Sequence, residues 1–432
     1  MISGDMTSPD LSRRERAADW LGLNRATVAV LTVIGCLGLS EEVWSPFLGL
    51  HLKAVATETN PTNAVAVAVL FIGIKSSIVN LLEGFGYIIG GSIAHRMGPR
   101  VALAVSAIPT VIGFAIILST RNPWIIVIGS LMMSNWEPLS VPATFDVVGS
   151  EVPKNRRTIA FAVQSIQKRV PKMIGPIIGA FILTAIGFWL NLVVALALVG
   201  LAVVIQLALT RHMRPKADPA RIPMREIMRT MPPDLRQLLQ AEILIRWGDW
   251  FARDFAFLYV LNLLTTNWGW TNADATYAGG WLMALMATTA LATYIPMAKW
   301  IDKSLSPKPF IGTTFLLFSL FPICLVLLPK LSAAVGLPVM VGLVLTYILN
   351  GLRELGEPAR KALITTGFEP HIRARAVGIY WGLRSFAFFP APIVAALLWW
   401  KIGPDLTFLI GGGIGLAGTA YFALRGGKRT LT

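Results

Sequence analysis

Charge is what this chain has least of. Only 14% of its 432 residues are Asp, Glu, Lys or Arg, against about 25% in an ordinary soluble domain. That is too few to cover a water-facing surface. Cysteine is scarce too: Cys36 and Cys324 each lie in an apolar run, which excludes a disulfide framework and a CxxC redox site. His51, His95, His212 and His371 are scattered, so a structural zinc site is a poor fit, and neither a metal nor a cofactor is expected. No GxxxxGK[ST] loop, HExxH motif or serine nucleophile elbow occurs, which argues against direct ATP drive and against an enzyme. Gly413-Ile414-Gly415-Leu416-Ala417-Gly418 spells GxGxxG, yet it lies in an apolar run with no strand before it. It reads as close helix packing rather than nucleotide binding.

What is present is apolar: 55% of the chain is hydrophobic. A spanning helix needs ~20 mostly apolar residues. Such runs fall near 26–50, 64–93, 101–120, 124–147, 158–187, 188–210, 237–264, 274–300, 309–329, 335–361, 372–399 and 404–424. They lack the alternation of barrel strands, and lipid leaves no unpaired backbone tolerable, so helices are predicted. The expectation is an all-α membrane protein of twelve transmembrane helices in two pseudo-symmetric six-helix bundles. The polar first 25 residues do not have the form of a signal peptide.

The basic excess of +15 sets topology rather than marking nucleic acid as a partner. Alternate connections hold His95, Arg96 and Arg100; Lys154, Arg156 and Arg157; Lys299, Lys303 and Lys308; Arg360, Lys361, Arg373 and Arg375. The intervening ones carry single bases, such as Lys53, Arg121, Lys330 and Lys401. This asymmetry predicts both termini in the cytoplasm of an inner-membrane protein. The predicted division is a cytoplasmic segment 1–25, a bundle 26–210, a basic linker 211–236, a bundle 237–424 and a tail 425–432. The linker reads as solvated, with a short surface helix; anionic lipid headgroups are a second partner for it. Trp44, Trp124, Trp268, Trp270, Trp399 and Trp400 read as interfacial anchors.

The halves repeat. Pro142-Ala143 is answered by Pro358-Ala359, and Pro153 by Pro370, 217 residues later. Each is followed by a proline break, Gly175-Pro176 in one half and Pro390 with Pro392 in the other. A near-constant offset of half the chain indicates internal duplication. The segment Gly91-Ser92-Ile93-Ala94-His95-Arg96-Met97-Gly98-Pro99-Arg100 resembles the major facilitator superfamily signature G-x-L-A-D-R-x-G-R-K. Gly91, Ala94, Arg96, Gly98 and Arg100 match; His95 stands where that family has aspartate. The matching loop of the second half keeps an acid, Asp302, beside Lys303. Gly175-Pro176-Ile177-Ile178-Gly179-Ala180 is similar to the G-P-x-x-G-G core of the superfamily's proton-coupled exporters, with Pro171 in place of the upstream glycine. The resemblance implies gating by these two loops and by Gly175-Pro176; either Asp302 is the stronger cytoplasmic latch or His95 simply caps and hydrogen-bonds, and the small residues around Pro176 equally fit close helix packing.

Ionisable residues inside spans are costly, by at least ~2.5–3.5 kcal/mol at mid-bilayer on insertion scales. This chain has many: Glu41, Glu42, Glu83, Glu137, Lys168, Arg169, Lys172, Glu242, Arg246, Asp249, Arg253, Asp254, Arg353, Glu354, Glu357 and Arg384. They are expected to line a wet chamber or to pair. Glu242, Arg246, Asp249 and Arg253 fall on one helical face with alternating sign, either a self-neutralising stripe on a water path or a structural ladder. Glu41 and Glu42 point about 100° apart, one toward the chamber; pairing with Lys168 or Arg384 is the alternative. Proton coupling is assigned to Glu41, Glu42, Glu137, Glu242, Asp249, Glu354 and Glu357. Arg246, Arg253, Lys168, Arg169, Arg353 and Arg384 are assigned to substrate contact or charge tuning.

The functional expectation is a monomeric secondary transporter working by alternating access, exporting small organic molecules against protons. Organic-anion import or exchange and divalent-metal export are the alternatives within the fold; a non-transporting scaffold or receptor is the alternative of another class.

Overall fold

The computed structural model describes residues 25–59, 64–133, 136–140, 157–209, 224–302, 308–357, 363–364 and 373–426, with single residues 304, 306 and 360. Among them every regular element is helical. In chain order these are α1 (Arg25–Trp44), a 3₁₀ turn (Ser45–Phe47), α2 (Leu48–Thr59), α3 (Ala64–Leu118), α4 (Pro123–Met133) and α5 (Arg157–Ala185). There follow α6 (Phe188–Leu209), α7 (Met224–Thr230), α8 (Pro233–Trp250), α9 (Ala256–Asn262), α10 (Asn272–Asp302) and α11 (Lys308–Ala334). The chain closes with α12 (Val339–Leu352), α13 (Arg373–Phe388), α14 (Ala391–Ile402) and α15 (Pro404–Gly426).

Among the described residues, six stretches are long and apolar enough to cross a bilayer: Val28–Val55, Ala64–Gly90, Phe188–Ala208, Lys308–Ala334, Ile379–Ile402 and Pro404–Leu424. Leu103–Leu118 and Val339–Leu352 are apolar but shorter. The 124–147, 158–187, 237–264 and 274–300 segments are mostly helical where described, with 251–255 interrupting the third, yet do not reach that measure.

The longest helix departs from the expected pair of spans separated by a turn. The backbone is helical from Ala64 to Leu118, including the stretch where the turn was expected. Even so, Phe71 packs edge-on against Trp124 at 4.5 Å, and Gly129 lies against Ile117. Residues 71 and 117 of a straight helix would stand about 70 Å apart, whereas Trp124 and Gly129 belong to one short helix. The chain of α3 therefore doubles back, and α4 lies against both arms. The side chains of Gly91, His95, Arg96, Gly98, Asp302 and Lys303, the repeat residues Pro142, Pro153, Pro358 and Pro370, the segment before Arg25, the 210–223 part of the linker and the tail after Gly426 lie outside the described residues. Arg100 is described: its carbonyl accepts a hydrogen bond from Gln206 Nε2 at 2.6 Å.

Glycine does the turning between helices. Gly187, Gly336 and Gly403 take φ of 123°, 79° and 84°, the left-handed region that L side chains avoid. Glycine also lets helices approach closely. A Cβ at Gly248 would lie 2.4 Å from the Gly411 carbonyl and 3.1 Å from Gly415 Cα, and one at Gly418 would meet Leu244. The GxGxxG run is thus a packing face for α8 and α11, while Gly413 meets nothing.

The two halves of the chain share one apolar core, running from Val30 to Phe408. They meet along two seams. On the first, α3 packs on α13 and α14, with Gly73 under Ala396, Phe85 on Phe386 at 5.0 Å and Tyr87 on Trp381 at 5.7 Å. On the second, Gly280 of α10 lies against Pro176 and Ala180 of α5, and Thr184 donates to Tyr277 at 2.5 Å. At one end Phe47 meets Phe257 at 5.1 Å, and Lys53 Nζ donates to Asn262 at 2.9 Å. Two of the expected interfacial tryptophans are core residues instead. Trp44 is buried against Phe114 and Trp399 against Phe408, whereas Trp124, Trp268 and Trp400 are exposed as expected.

Overpacking a tight contact costs ~1–3 kcal/mol. Gly248→Leu is therefore expected to lower the thermal transition of the detergent-solubilised protein by several degrees. Gly200→Ala, where a Cβ meets nothing, should leave the transition unchanged or raise it slightly.

Candidate functional site

Two stretches of irregular helix carry the charges of the second half. After α8 the chain passes through residues 251–255 with i→i−3 bonds such as Phe251 N to Gly248 O at 3.3 Å and Phe255 N to Ala252 O at 3.1 Å. The expected 237–264 helix is thus split, and Arg253 and Asp254 sit on the tightened turn. After α12 the same happens: Glu354 N bonds to Gly351 O at 3.4 Å and Leu355 N to Leu352 O at 3.1 Å. Such turns rotate side chains away from the α-helical register. Arg353 and Glu354 leave α12 in this way, and Gly356 lets the turn press onto Phe310 while donating its N–H to Thr314 Oγ1 at 2.6 Å.

The result is a buried charge network. Asp249, fully buried, faces three guanidinium groups: Arg353 at 2.7 Å, Arg246 at 3.3 Å and Arg253 at 4.0 Å. Glu242 accepts from Arg384 at 2.6 Å, from Tyr380 at 2.9 Å and from Arg360. Arg360 also grips Glu357 through Nε at 3.2 Å and Nη2 at 2.6 Å, and Glu357 lies 3.6 Å from Arg246. Aromatic faces cover the cations, with Arg246 and Arg353 both over Phe318 at 4.4 and 4.5 Å. Every formal charge here is close to an opposite one, which is what a low-dielectric interior demands.

The first half contributes a smaller set. Glu137 pairs with Lys168 at 2.8 Å, Glu42 lies 3.8 Å from Lys172, and Glu41 accepts from Trp136 Nε1 at 3.1 Å. A Cβ at Gly175 would lie 2.5 Å from Glu42 Cβ, and one at Gly179 would lie 2.3 Å from the Val43 carbonyl. The Gly175-Pro176 motif therefore lets α5 approach α1 at the paired acids while its other side meets α10. Among the described residues, Arg169 to Glu354 at 2.5 Å and Ser76 Oγ to Asp254 cross between the halves at this level. The side chains of Glu137, Lys168, Lys172 and Arg253 are 45, 29, 42 and 39% accessible, so this level is not sealed by packing.

The expected residues thus form two groups joined by Arg169 and Glu354. The partner assignments differ from expectation in three places. Glu242 does not pair with Arg246 along the helix but with Arg360 and Arg384 on other segments. Neither Glu41 nor Glu42 pairs with Lys168 or Arg384, which are taken by Glu137 and Glu242. Arg360, read as one of the basic loop residues that set topology, is 3% exposed and bridges Glu242 and Glu357. Sequence reasoning also missed Tyr380 and Trp136. For Arg360 a signal existed, since it follows Arg353 at i+7 and Glu357 at i+3.

The Major Facilitator Superfamily model matches residues 30–271, more than half of the chain. The chain belongs to the major facilitator superfamily. Like the rest of this transporter superfamily it is a multi-pass integral membrane protein, not an enzyme. The protein named multidrug resistance protein MdtH of Cronobacter sakazakii is 24% identical over 320 residues, 73% of each chain; that of Edwardsiella ictaluri is 25% identical over 318 residues, again 73% of each. Among solved structures, a POT family transporter in complex with 5-aminolevulinic acid superposes with a TM-score of 0.70 at 15% identity, covering 93% of this chain and 96% of that one. The nucleoside transporter NupG gives 0.72 at 12% identity, covering 94% and 100%. At these identities the structural likeness speaks for the fold.

Removing one partner of a buried ion pair costs ~3–5 kcal/mol, while removing both restores most of it. Glu242→Gln should therefore lower the thermal transition strongly by leaving Arg360 and Arg384 uncompensated. Combining it with Arg384→Met should recover much of the loss in a double-mutant cycle; an additive double mutant would contradict the pairing.

Proposed function

We propose that this protein is a secondary active transporter that exports small organic molecules by alternating access, exchanging them for protons. Its twelve spans form two pseudo-symmetric six-helix bundles, residues 26–210 and 237–424, with both termini in the cytoplasm of the inner membrane. What carries this reading is the placement of the charges. They lie in the middle of apolar helices, partly accessible, with Arg169–Glu354 and Ser76–Asp254 crossing between the halves. A lipid-facing charge would cost several kcal/mol, so accessible charged groups at this depth imply an aqueous space between two bundles. Relatives named multidrug resistance proteins support export over uptake.

In this reading Glu41 and Glu42 are the coupling acids. Glu41 holds no cation among the described residues, only the Trp136 N–H, and Glu42 has a distant lysine at 3.8 Å. A carboxylate so placed can take a proton without breaking a close ion pair. Glu137, Glu242, Asp249, Glu354 and Glu357 are held by close cations and set the field in which the coupling acids titrate. Gly91, His95, Arg96, Gly98 and Arg100, with Asp302 and Lys303, act as the cytoplasmic gates, and Gly175-Pro176 acts as the flexing point of α5.

Reconstitution into proteoliposomes with an imposed pH gradient tests this. Gradient-driven flux of small organic substrates should be seen. Glu41→Gln, Glu42→Gln or the double variant should cut it by about a hundredfold or more, the scale typical of losing one proton-transfer group, while leaving equilibrium binding in place. Flux indifferent to the gradient in the wild type and in all three variants would remove the proton-coupling reading.

A further inference from the structure

We propose that Asn80 is a polar catch for a second conformation: its side-chain amide is left unpaired in the conformation described here, and pairs with the break between α13 and α14 when the two halves rock. This rests on the alternating-access part of the reading above and on nothing about which ion or substrate is carried.

Four contacts set the register of the first seam. A Cβ at Gly73 would meet Ala396 and the Pro392 carbonyl, Gly84 lies against the Phe386 ring, and Gly382 lies against the Gly84 carbonyl and Ile88. Between them Ser77 Oγ accepts from Ile393 N at 3.0 Å. Numbers that rise along α3 fall along α13 and α14, so the two run antiparallel. Gly73, Ser77, Asn80 and Gly84 are spaced i, i+4, i+7 and i+11, which is one face of a helix. Asn80 therefore stands opposite the stretch between Phe386 and Ile393. That stretch is where the second-half helix is interrupted: α13 stops at Phe388 and α14 resumes at Ala391. Pro390 and Pro392 have no N–H, so the carbonyls of Phe386 and Phe388 lose the donors that a continuous helix would supply four residues on.

Asn80 is 0% exposed, and neither Nδ2 nor Oδ1 has a partner among the described residues. Ser385, next to Phe386, is equally buried and its hydroxyl is unpartnered too. An amide offers two donors and an acceptor, and leaving them unmade in a dry seam costs more than an apolar side chain would. Ser77 is the contrast. It sits one turn away on the same face and makes its bond across the seam in this conformation. One polar residue is thus satisfied here and its neighbour is not. The unpaired amide disfavours this arrangement relative to one in which it reaches the carbonyls freed by the prolines. A small sliding of α13 and α14 along α3 supplies that arrangement, and this seam is a surface that must shift when one half rocks against the other.

The test reads the conformational equilibrium directly. At the end of the molecule where Lys53 bonds Asn262, the halves touch in this conformation. Thr57 and Thr266 are exposed and lie four residues beyond those two. Spin labels on Thr57→Cys and Thr266→Cys, with Cys36 and Cys324 replaced by serine, report a short distance here and a longer one when that end opens. In lipid nanodiscs, Asn80→Leu and Asn80→Ala should each raise the ratio of short to long distances by about tenfold, the scale of one buried polar group left unpaired. Ser77→Ala removes a bond made in this conformation and should lower the ratio. Asn80→Ala adds no bulk and carries the test if Asn80→Leu does not fold; if neither folds, the amide holds this conformation together and the proposal fails. A distribution unmoved by both Asn80 variants, or moved the same way by Ser77→Ala, also overturns it. The distances are read without flux, so a failed proton-coupling test leaves this result standing, while gradient-driven flux beside unmoved distances would sink the Asn80 proposal alone.

Discussion

Everything in this structure answers to the cost of ionised side chains in a medium without water. A guanidinium or carboxylate at mid-bilayer is tolerable only when an opposite charge, a hydrogen-bond partner or a wet cavity compensates it. The chain places more than a dozen such groups within apolar helices. It does not spread them evenly around each helix; it gathers most of them in one network within the second half, joined to a smaller set in the first by Arg169–Glu354 and Ser76–Asp254. Apolar side chains are left to meet lipid, as the exposed Ile108, Ile128, Phe181, Val204 and Leu345 show.

Backbone irregularity serves the same end. The tightened turns at 251–255 and after Leu352 give up part of the α-helical ladder at the two places where charges are densest. Small residues then draw neighbouring segments close enough for the charges to pair, as Gly356 does against Phe310 and Gly175 against Glu42. Local tightening of the helix, close packing and ion pairing are one design seen at three scales.

Much of this was legible in the amino-acid sequence, and the missing parts share a cause. The apolar runs, their helical character and the presence of intramembrane charges follow from composition and hydropathy, which act locally. The alternating stripe Glu242, Arg246, Asp249 and Arg253 was visible as spacing, and Asp249 does hold Arg246 and Arg253. Which partner Glu242 chooses was not visible, because Arg360 and Arg384 reach it from more than a hundred residues away. Arg360 looked like a loop residue because it sits in a basic, polar stretch; only the fold shows that the helix end carrying it turns inward. Trp44 looked interfacial because it ends an apolar run, and the 3₁₀ turn after it carries the chain onward so that the indole is enclosed.

Asp249 is shared by three guanidinium groups drawn from two segments, α8 with its following turn and the end of α12. A carboxylate with several suitors can hand itself from one to another in small steps. When the segments slide, Arg353 can loosen as Arg246 or Arg253 tightens, so the carboxylate never stands bare in the apolar interior. Such a relay turns what would be a single high barrier into a series of low ones, and lets a densely charged seam behave as a bearing rather than a weld.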